Sequence, residues 1–361
     1  MGKQITILVC LAMILTILAC ENNPDLPKSS EPQSAETQAI PKEEETSQPP
    51  IIPTLVPTIV PQPVPQNPYS MIQTTLRSYP PCTGNKELRN DAILELDAYL
   101  KDDSLNWKSD MVDFYRQMIG FVESEITEPV ASGVRIWSMY NHGFLIKTPS
   151  TIIAFDLVNG YDPWHYQIPE SILEQIDVLF ISHGHEDHRD LGIIRKIKAF
   201  GGKVVVPVEG SQASEHEIPL GANEEVMVDS LKVKAYDGLH ADIAVRMFFV
   251  KTPEGLTIMH TGDNQTSETL PDGLTVDILL LNAWVNESGS ASAVVGIQNS
   301  IKKLSPELTI LGHIQELGHY YAPDDAKSRL AFETALSADN ELLPGYVSVQ
   351  IWGEHCNYPL E

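Results

Sequence analysis

Residues 181–188 read Ile-Ser-His-Gly-His-Glu-Asp-His, and this H-x-H-x-D-H cluster constrains the fold more than any other stretch of the chain. His183, His185, Asp187 and His188 put three imidazoles and a carboxylate within six residues, a donor set suited to a borderline cation such as Zn²⁺. One histidine alone is an ordinary polar residue; four ligand-type side chains in register read as a metal motif. Residues 177–182, Asp-Val-Leu-Phe-Ile-Ser, form a short β-rich run. The cluster therefore belongs on the loop leaving a buried strand, where α/β folds place their chemistry.

Three more groups stand at the ends of apolar, strand-like runs: His240 after 231–236, Asp263 after Leu-Thr-Ile-Met-His-Thr-Gly at 256–262, and His313 after Leu-Thr-Ile-Leu-Gly at 308–312. Taken singly, each reads equally well as a solvent-facing strand end. Taken together, they supply what a two-metal site needs beyond the first cluster. The ordered set of HxHxDH, a His, Thr-Gly-Asp and Gly-His resembles the metallo-β-lactamase-fold hydrolase superfamily over roughly residues 130–361. That resemblance implies a four-layer αββα sandwich and two zinc ions per chain. It implies that His183, His185 and His240 hold one zinc, that Asp187, His188 and His313 hold the other, and that Asp263 bridges them. Neither Cys82 nor Cys356 lies in a matching motif, which sets aside the lactamase branch with a Cys ligand. His185 stands where the flavodiiron branch has Glu. A mononuclear iron dioxygenase branch keeps the same ligands and stays open.

Activated water suffices as nucleophile in such a site, with Asp187 and Asp263 as ligands that also orient it or relay its proton. Around the ligands, His260 reads as a support behind the ligands or as packing, and His319 as a residue that lines the substrate side, backs a ligand or lies on a surface loop. His142, in Tyr-Asn-His-Gly-Phe at 140–144, reads as a site-edge group or a structural turn. Asp156, ending the run 151–156, resembles a family position that buttresses the metal loop. Trp137, Tyr161, Trp164 and Trp284 read as pocket wall or as core. His165, His216 and His355 carry no assignment.

The N-terminus pairs Lys3 with an apolar stretch over 5–19 that ends Ile-Leu-Ala-Cys at Cys20. Its length suits a signal-peptide core better than a spanning helix. A small residue before Cys20 resembles a bacterial lipoprotein signal, which implies cleavage after 1–19, lipidation of Cys20 and a domain facing outside the cytoplasm at the cell envelope. A plain signal peptide or an uncleaved anchor is the alternative. Residues 20–68 are rich in Pro, Glu, Ser, Thr and Gln, a composition that buries too little apolar surface to offset ordering entropy. They read as an extended tether.

Residues 69–129 read as a helical preface to a hydrolase domain over 130–361. One helical face is set by Leu88, Ala92, Leu96, Tyr99 and Leu100, and another by Met111, Phe114, Tyr115, Met118, Ile119 and Val122. Beyond it, β-like runs near 134–139, 151–155, 204–208, 245–250, 278–281 and 347–351 alternate with helical patterns near 189–199, 291–304 and 325–337. About a dozen strands with few helices suit two sheets between helix layers.

Cys10 falls in the segment to be removed and Cys20 is the lipid site, so Cys82 and Cys356 are left as an even pair in an oxidising compartment and are expected to form a disulfide. The formal net charge is −25, of which the segment 21–68 holds seven acids and two lysines. Most of the excess therefore sits on the folded part, which repels polyanions and makes nucleic acid a poor partner. The expected function is a lipid-anchored, metal-dependent hydrolase of a small ester, lactone or phosphodiester-type bond. A non-catalytic metal- or ligand-binding lipoprotein and the iron dioxygenase are its rivals. Fold and function separate at this point, because chemistry lives in the site.

Overall fold

A computed structural model of the chain describes residues 68–101, 107–159, 167–210, 216–240, 243–285, 293–314, 332–339 and 342–360. The expected signal peptide, Cys20, nearly all of the tether, and His319, Tyr161 and Trp164 lie outside the described residues. Alternation of side chains across each strand decides the architecture. In β3 (Ile152–Phe155), Ile153 and Phe155 enter one apolar core while Ile152 and Ala154 enter another. In β4 (Val178–Phe180), Val178 and Phe180 divide from Leu179 in the same way. Strands apolar on both faces must be covered on both faces, and the result is two sheets face to face with helices outside.

The first sheet adds β1 (Val134–Ser138), β2 (Phe144–Lys147), β5 (Lys203–Pro207), β6 (Glu217–Leu220) and β14 (His355–Tyr358), in the order β14-β1-β2-β3-β4-β5-β6. The second contains β7 (Glu225–Val228), β8 (Leu231–Gly238), β9 (Val245–Lys251), β10 (Thr257–His260), β11 (Ile278–Asn282), β12 (Leu308–Gly312) and β13 (Tyr346–Val349), in the order β13-β12-β11-β10-β9-β8-β7. Between them lies a core of Ile136, Phe144, Phe155 and Phe180 from one sheet against Val233, Phe248, Ile258 and Leu280 from the other. Strands β3 to β6 run parallel, as do β10 to β13. The H-x-H-x-D-H segment, Asp263 and His313 lie just past the C-terminal ends of β4, β10 and β12, and His240 just past β8. The expected αββα arrangement is the one observed.

Outside the sheets, after the short α4 (Glu170–Leu173), α5 (Leu191–Ala199) buries Ile193, Ile194 and Ile197 against β5, and α6 (Ala293–Leu304) buries Ile297, Ile301 and Leu304 beside β11. The pattern near 325–337 is described only as α7 (Phe332–Ala338). In the preface, the two expected helices are α2 (Lys86–Lys101) and α3 (Trp107–Glu125), preceded by α1 (Pro68–Ser78), a third helix in the stretch for which the sequence shows no helical pattern. α1 starts on a proline, a residue that suits the first turn because no hydrogen-bond donor is needed there. Its inward residues are Ile72 and Leu76.

The preface is bound to the C-terminal strand region by covalent and ionic contacts. Cys82 and Cys356 form a disulfide, with Cα atoms 5.7 Å apart. Buried Arg89 grips both carboxylate oxygens of buried Glu354 and also donates to the carbonyls of Tyr79 and Val349. Among the described residues no helix is long and apolar enough to cross a membrane.

Candidate metal centre

The H-x-H-x-D-H segment follows β4 and is pinned at both ends. Behind it, Asp190 caps α5, accepting from the backbone N–H groups of Gly192 (2.7 Å) and Ile193 (3.1 Å) and from Asn159 Nδ2 (2.7 Å). Such a cap satisfies donors that a helix start otherwise leaves unpaired. In front, the Ser182 carbonyl accepts the Arg246 N–H of β9 at 2.9 Å, joining the two sheets beside the site. The loop is thereby rigid on the scale that metal chemistry needs.

Asp156, just past β3, orients both halves of the cluster. Its Oδ2 faces His188 Nδ1 at 2.8 Å. A carboxylate only accepts, so Nδ1 of His188 carries the proton and Nε2 is left as the ligating atom. The same carboxylate accepts the Ser182 hydroxyl (2.5 Å) and backbone N–H (2.7 Å). With its proton committed to Asp156, Ser182 Oγ accepts from His183 Nδ1 at 2.9 Å, and Nε2 of His183 is freed in turn. Asp156 is fully buried, and although burial favours its neutral form, the bond to His188 and the surrounding imidazoles hold it below the usual carboxylate range.

The freed donors converge. His188 Nε2 lies 3.1 Å from Asp263 Oδ1, 3.3 Å from Asp187 Oδ2 and 3.4 Å from His313 Nε2. His313 Nε2 lies 3.3 Å from Asp263 Oδ2. His183 Nε2 lies 3.1 Å from His185 Nδ1 and 3.7 Å from Asp263 Oδ2. Three donor groups result among the described residues, each with its atoms within 4.8 Å of one another: Asp187–His188–Asp263–His313 and His183–His185–Asp263, which share Asp263, and Asp156–His183–His188, whose Asp156 is already engaged by His188 and Ser182. The first is wholly buried; in the second His185 is partly open. His240 stands next to the second group, its ring centroid 4.9 Å from that of His185 and 5.7 Å from that of His183.

Asp263 reaches this position because the turn after β10 is sterically specified. Gly262 is left-handed (φ 50°), and a Cβ there would fall 2.6 Å from Ser182 Cβ. His260 fixes the turn from below: its Nδ1 accepts from the Gly262 N–H and its Nε2 donates to the His142 carbonyl, both at 3.2 Å. Both ring nitrogens are thereby satisfied, and the ring stacks on Phe155 with centroids 4.8 Å apart. His260 is thus a structural support. His142, also fully buried, stacks on His260 at 4.3 Å and touches no ligand closer than 6.2 Å between ring centroids. His142 also fills the space where Gly312 would carry a Cβ, its Nδ1 lying 2.3 Å from that point. Trp284 donates Nε1–H to the His313 carbonyl at 2.6 Å and sets its ring against the imidazole. Trp137 is core: fully buried, it donates to Glu125.

The charges of the cluster suit a cation. Burial works against ionised Asp187 and Asp263, yet His188 and His313 beside them outweigh it and hold both carboxylates well below their usual range. Burial likewise works against a charged His188, but Asp263, Asp187 and Asp156 outweigh it and hold that imidazole protonated well above its usual range. His183 goes the other way, pushed down to about 3 by burial and by His188. Imidazoles around buried anions are a donor set for divalent ions, whose binding displaces the imidazole proton, and buried Asp263 Oδ1 is faced by His188 Nε2 at 3.1 Å. Ser182 and Asn141 are the site residues that the sequence reading passed over. Ser182 has its signal in adjacency to the motif; Asn141 sits in the quoted segment 140–144.

Residues 138–311 match a family model described as a beta-lactamase superfamily domain. Ribonuclease J of Corynebacterium glutamicum is 28% identical over 130 residues, 33% of this chain but only 18% of that protein. Among solved structures, Igni18, a metallo hydrolase from Ignicoccus hospitalis KIN4/I, aligns at 17% identity with a TM-score of 0.49, covering 64% of this chain and 100% of the other. CmlA, a diiron β-hydroxylase from Streptomyces venezuelae, aligns at 14% identity with a TM-score of 0.47, covering 64% of this chain and 55% of the other.

Proposed function

We propose that this chain, which carries a metallo-β-lactamase superfamily domain, is a dinuclear zinc hydrolase, anchored outside the cytoplasm through lipidated Cys20 and acting on a small ester, lactone or phosphodiester-type bond. The observation that carries the reading is the pair of donor groups sharing Asp263. A structural zinc closes with four ligands, whereas this cluster offers more donors than one such ion uses, arranged around two centres. His183, His185, His240 and Asp263 would hold one ion, and Asp187, His188, His313 and Asp263 the other.

Bound there, the pair supplies Lewis acidity, lowering the pKa of water from ~16 to ~7 and polarising the oxygen of the scissile group. The chain's own residues do the rest. Asp156 and Ser182 fix the tautomers of His188 and His183, so each presents Nε2 inward. Asp187 and Asp263, held as anions, would orient the attacking water or relay its proton. Partly open His185 and half-buried Trp284 mark the side from which substrate enters.

The test is elemental analysis of the full-length protein beside a panel of lactone, phosphodiester, thioester and β-lactam reporters and an RNA oligonucleotide. About two zinc per chain with chelator-sensitive turnover supports the hydrolase and names its bond class. One iron with oxygen uptake moves the assignment to the dioxygenase, and metal without turnover moves it to a binding lipoprotein. The RNA arm addresses the ribonuclease similarity, against which the net charge of −25 argues.

A further inference from the structure

The turn between β1 and β2 supplies none of the proposed ligands, yet it holds two of them. Asn141 is 4% exposed and left-handed, with φ 60°. Its Nδ2 donates to Asp187 Oδ2 at 3.0 Å and to the Asp187 carbonyl at 3.1 Å. Its own carbonyl accepts the His313 N–H at 3.0 Å, and His313 is also left-handed, with φ 61°. One residue thus sets the carboxylate direction of one donor and the backbone position of another. Both donors belong to the buried group Asp187–His188–Asp263–His313.

The turn is in turn held from outside the matched region. The Tyr140 N–H donates to the hydroxyl of Tyr115 in α3 at 3.0 Å. The Tyr115 ring packs edge-on against Tyr140 and Trp352, at 6.1 and 5.8 Å between centroids. On the other side, the carbonyl of Ser138 accepts the Gly353 N–H at 2.6 Å, and the Ser138 N–H donates to the Glu354 carbonyl at 3.0 Å. Glu354 is the residue gripped by Arg89 of α2. The preface thus reaches the start of the β1–β2 turn through two short chains of contacts, one ending on Tyr140, the residue before Asn141, and the other on Ser138.

We propose that Asn141 is a positioning residue for the Asp187–His188–His313 metal subsite, and that α3 sets its register through Tyr115. The inference rests on the two-metal reading. Its physical basis is directional: an amide bonded to one carboxylate oxygen selects which lone pairs remain for a cation, and outer contacts of this kind change metal affinity about 10- to 100-fold.

Cobalt(II) titration of the metal-depleted full chain tests it, read by visible absorption and elemental analysis, with thermal unfolding of the metal-free protein as a control. Asn141→Gly removes the amide while keeping a residue at ease with positive φ. Asn141→Asp, which keeps the shape and tolerates αL, serves if the glycine variant fails to fold. The expected result is two cobalt per wild-type chain, with the variant taking the first equivalent at wild-type affinity and the second about 10- to 100-fold more weakly, at an unchanged metal-free Tm. Tyr115→Phe is expected to weaken the same equivalent by a smaller factor. Filling of both subsites at wild-type affinity overturns the inference, and so does parallel weakening of both, which assigns Asn141 to general packing. A wild-type chain that takes one cobalt or none overturns the two-metal reading itself and the inference with it.

Discussion

Asp156 governs both halves of the cluster from behind the ligating atoms, one half directly through His188 and the other through the Ser182 hydroxyl. Asp156→Asn keeps the volume, but an amide nitrogen in place of Oδ2 donates only and accepts from neither His188 nor Ser182. We expect metal affinity to fall about 10- to 100-fold at both subsites together, measured by competition with a chromogenic chelator; loss at one subsite alone contradicts the relay. At this scale the sequence was informative where chemistry is dense. HxHxDH, Asp263 and His313 were legible because several donors follow one another or close a strand. Asn141 was not, because a single Asn in a turn announces a tight corner and says nothing of Asp187, 46 residues away. His260 was legible as a position but not as a role, since its two hydrogen bonds depend on loops from different sheets.

At the scale of elements, the preface was readable as helices from apolar spacing, but its attachment was not. Arg89 and Glu354 are 265 residues apart and bury a bidentate pair whose only sequence trace is two charges in apolar surroundings. α1 was missed because its first residue continues a proline-rich run, and β14 because four residues with one buried cysteine give too little alternation to read. The Cys82–Cys356 disulfide closes a separation of 274 residues, and cross-linking so long a loop restricts the unfolded chain strongly. Replacing both cysteines with alanine is expected to lower the unfolding free energy by about 2–5 kcal/mol, read from denaturant unfolding of the metal-loaded protein. An unchanged midpoint argues that the ion pair and helix packing alone hold the preface.

For the whole molecule, the buried histidines set an acid limit on the metal-free protein. His142, His183 and His260 all have folded pKa values below the ordinary 6.5, lowered first by burial, with His183 at about 3. The unfolded chain therefore binds protons near pH 6.5 that the folded chain refuses, so stability is full above that pH and is lost as pH falls from it. His188 is shifted upward and contributes in the opposite sense, most below 6.5, but three groups oppose one. Each histidine that stays neutral costs about 2 kcal/mol between pH 6.5 and 5. The urea midpoint of the metal-depleted chain is expected to fall over that interval, and a level or rising profile contradicts the burial argument.

The pairing of β1 with β14, Val134 opposite Tyr358 and Trp137 opposite His355, bears on how the molecule is made. The strand that opens the first sheet keeps one edge bare until residues 355–358 arrive, so a nascent chain stalled before that point displays an unpaired apolar edge to its surroundings. Closure of the sheet is then a single event: without residues 354–358 the first sheet has six strands, Cys82 loses its disulfide partner and Arg89 its anion.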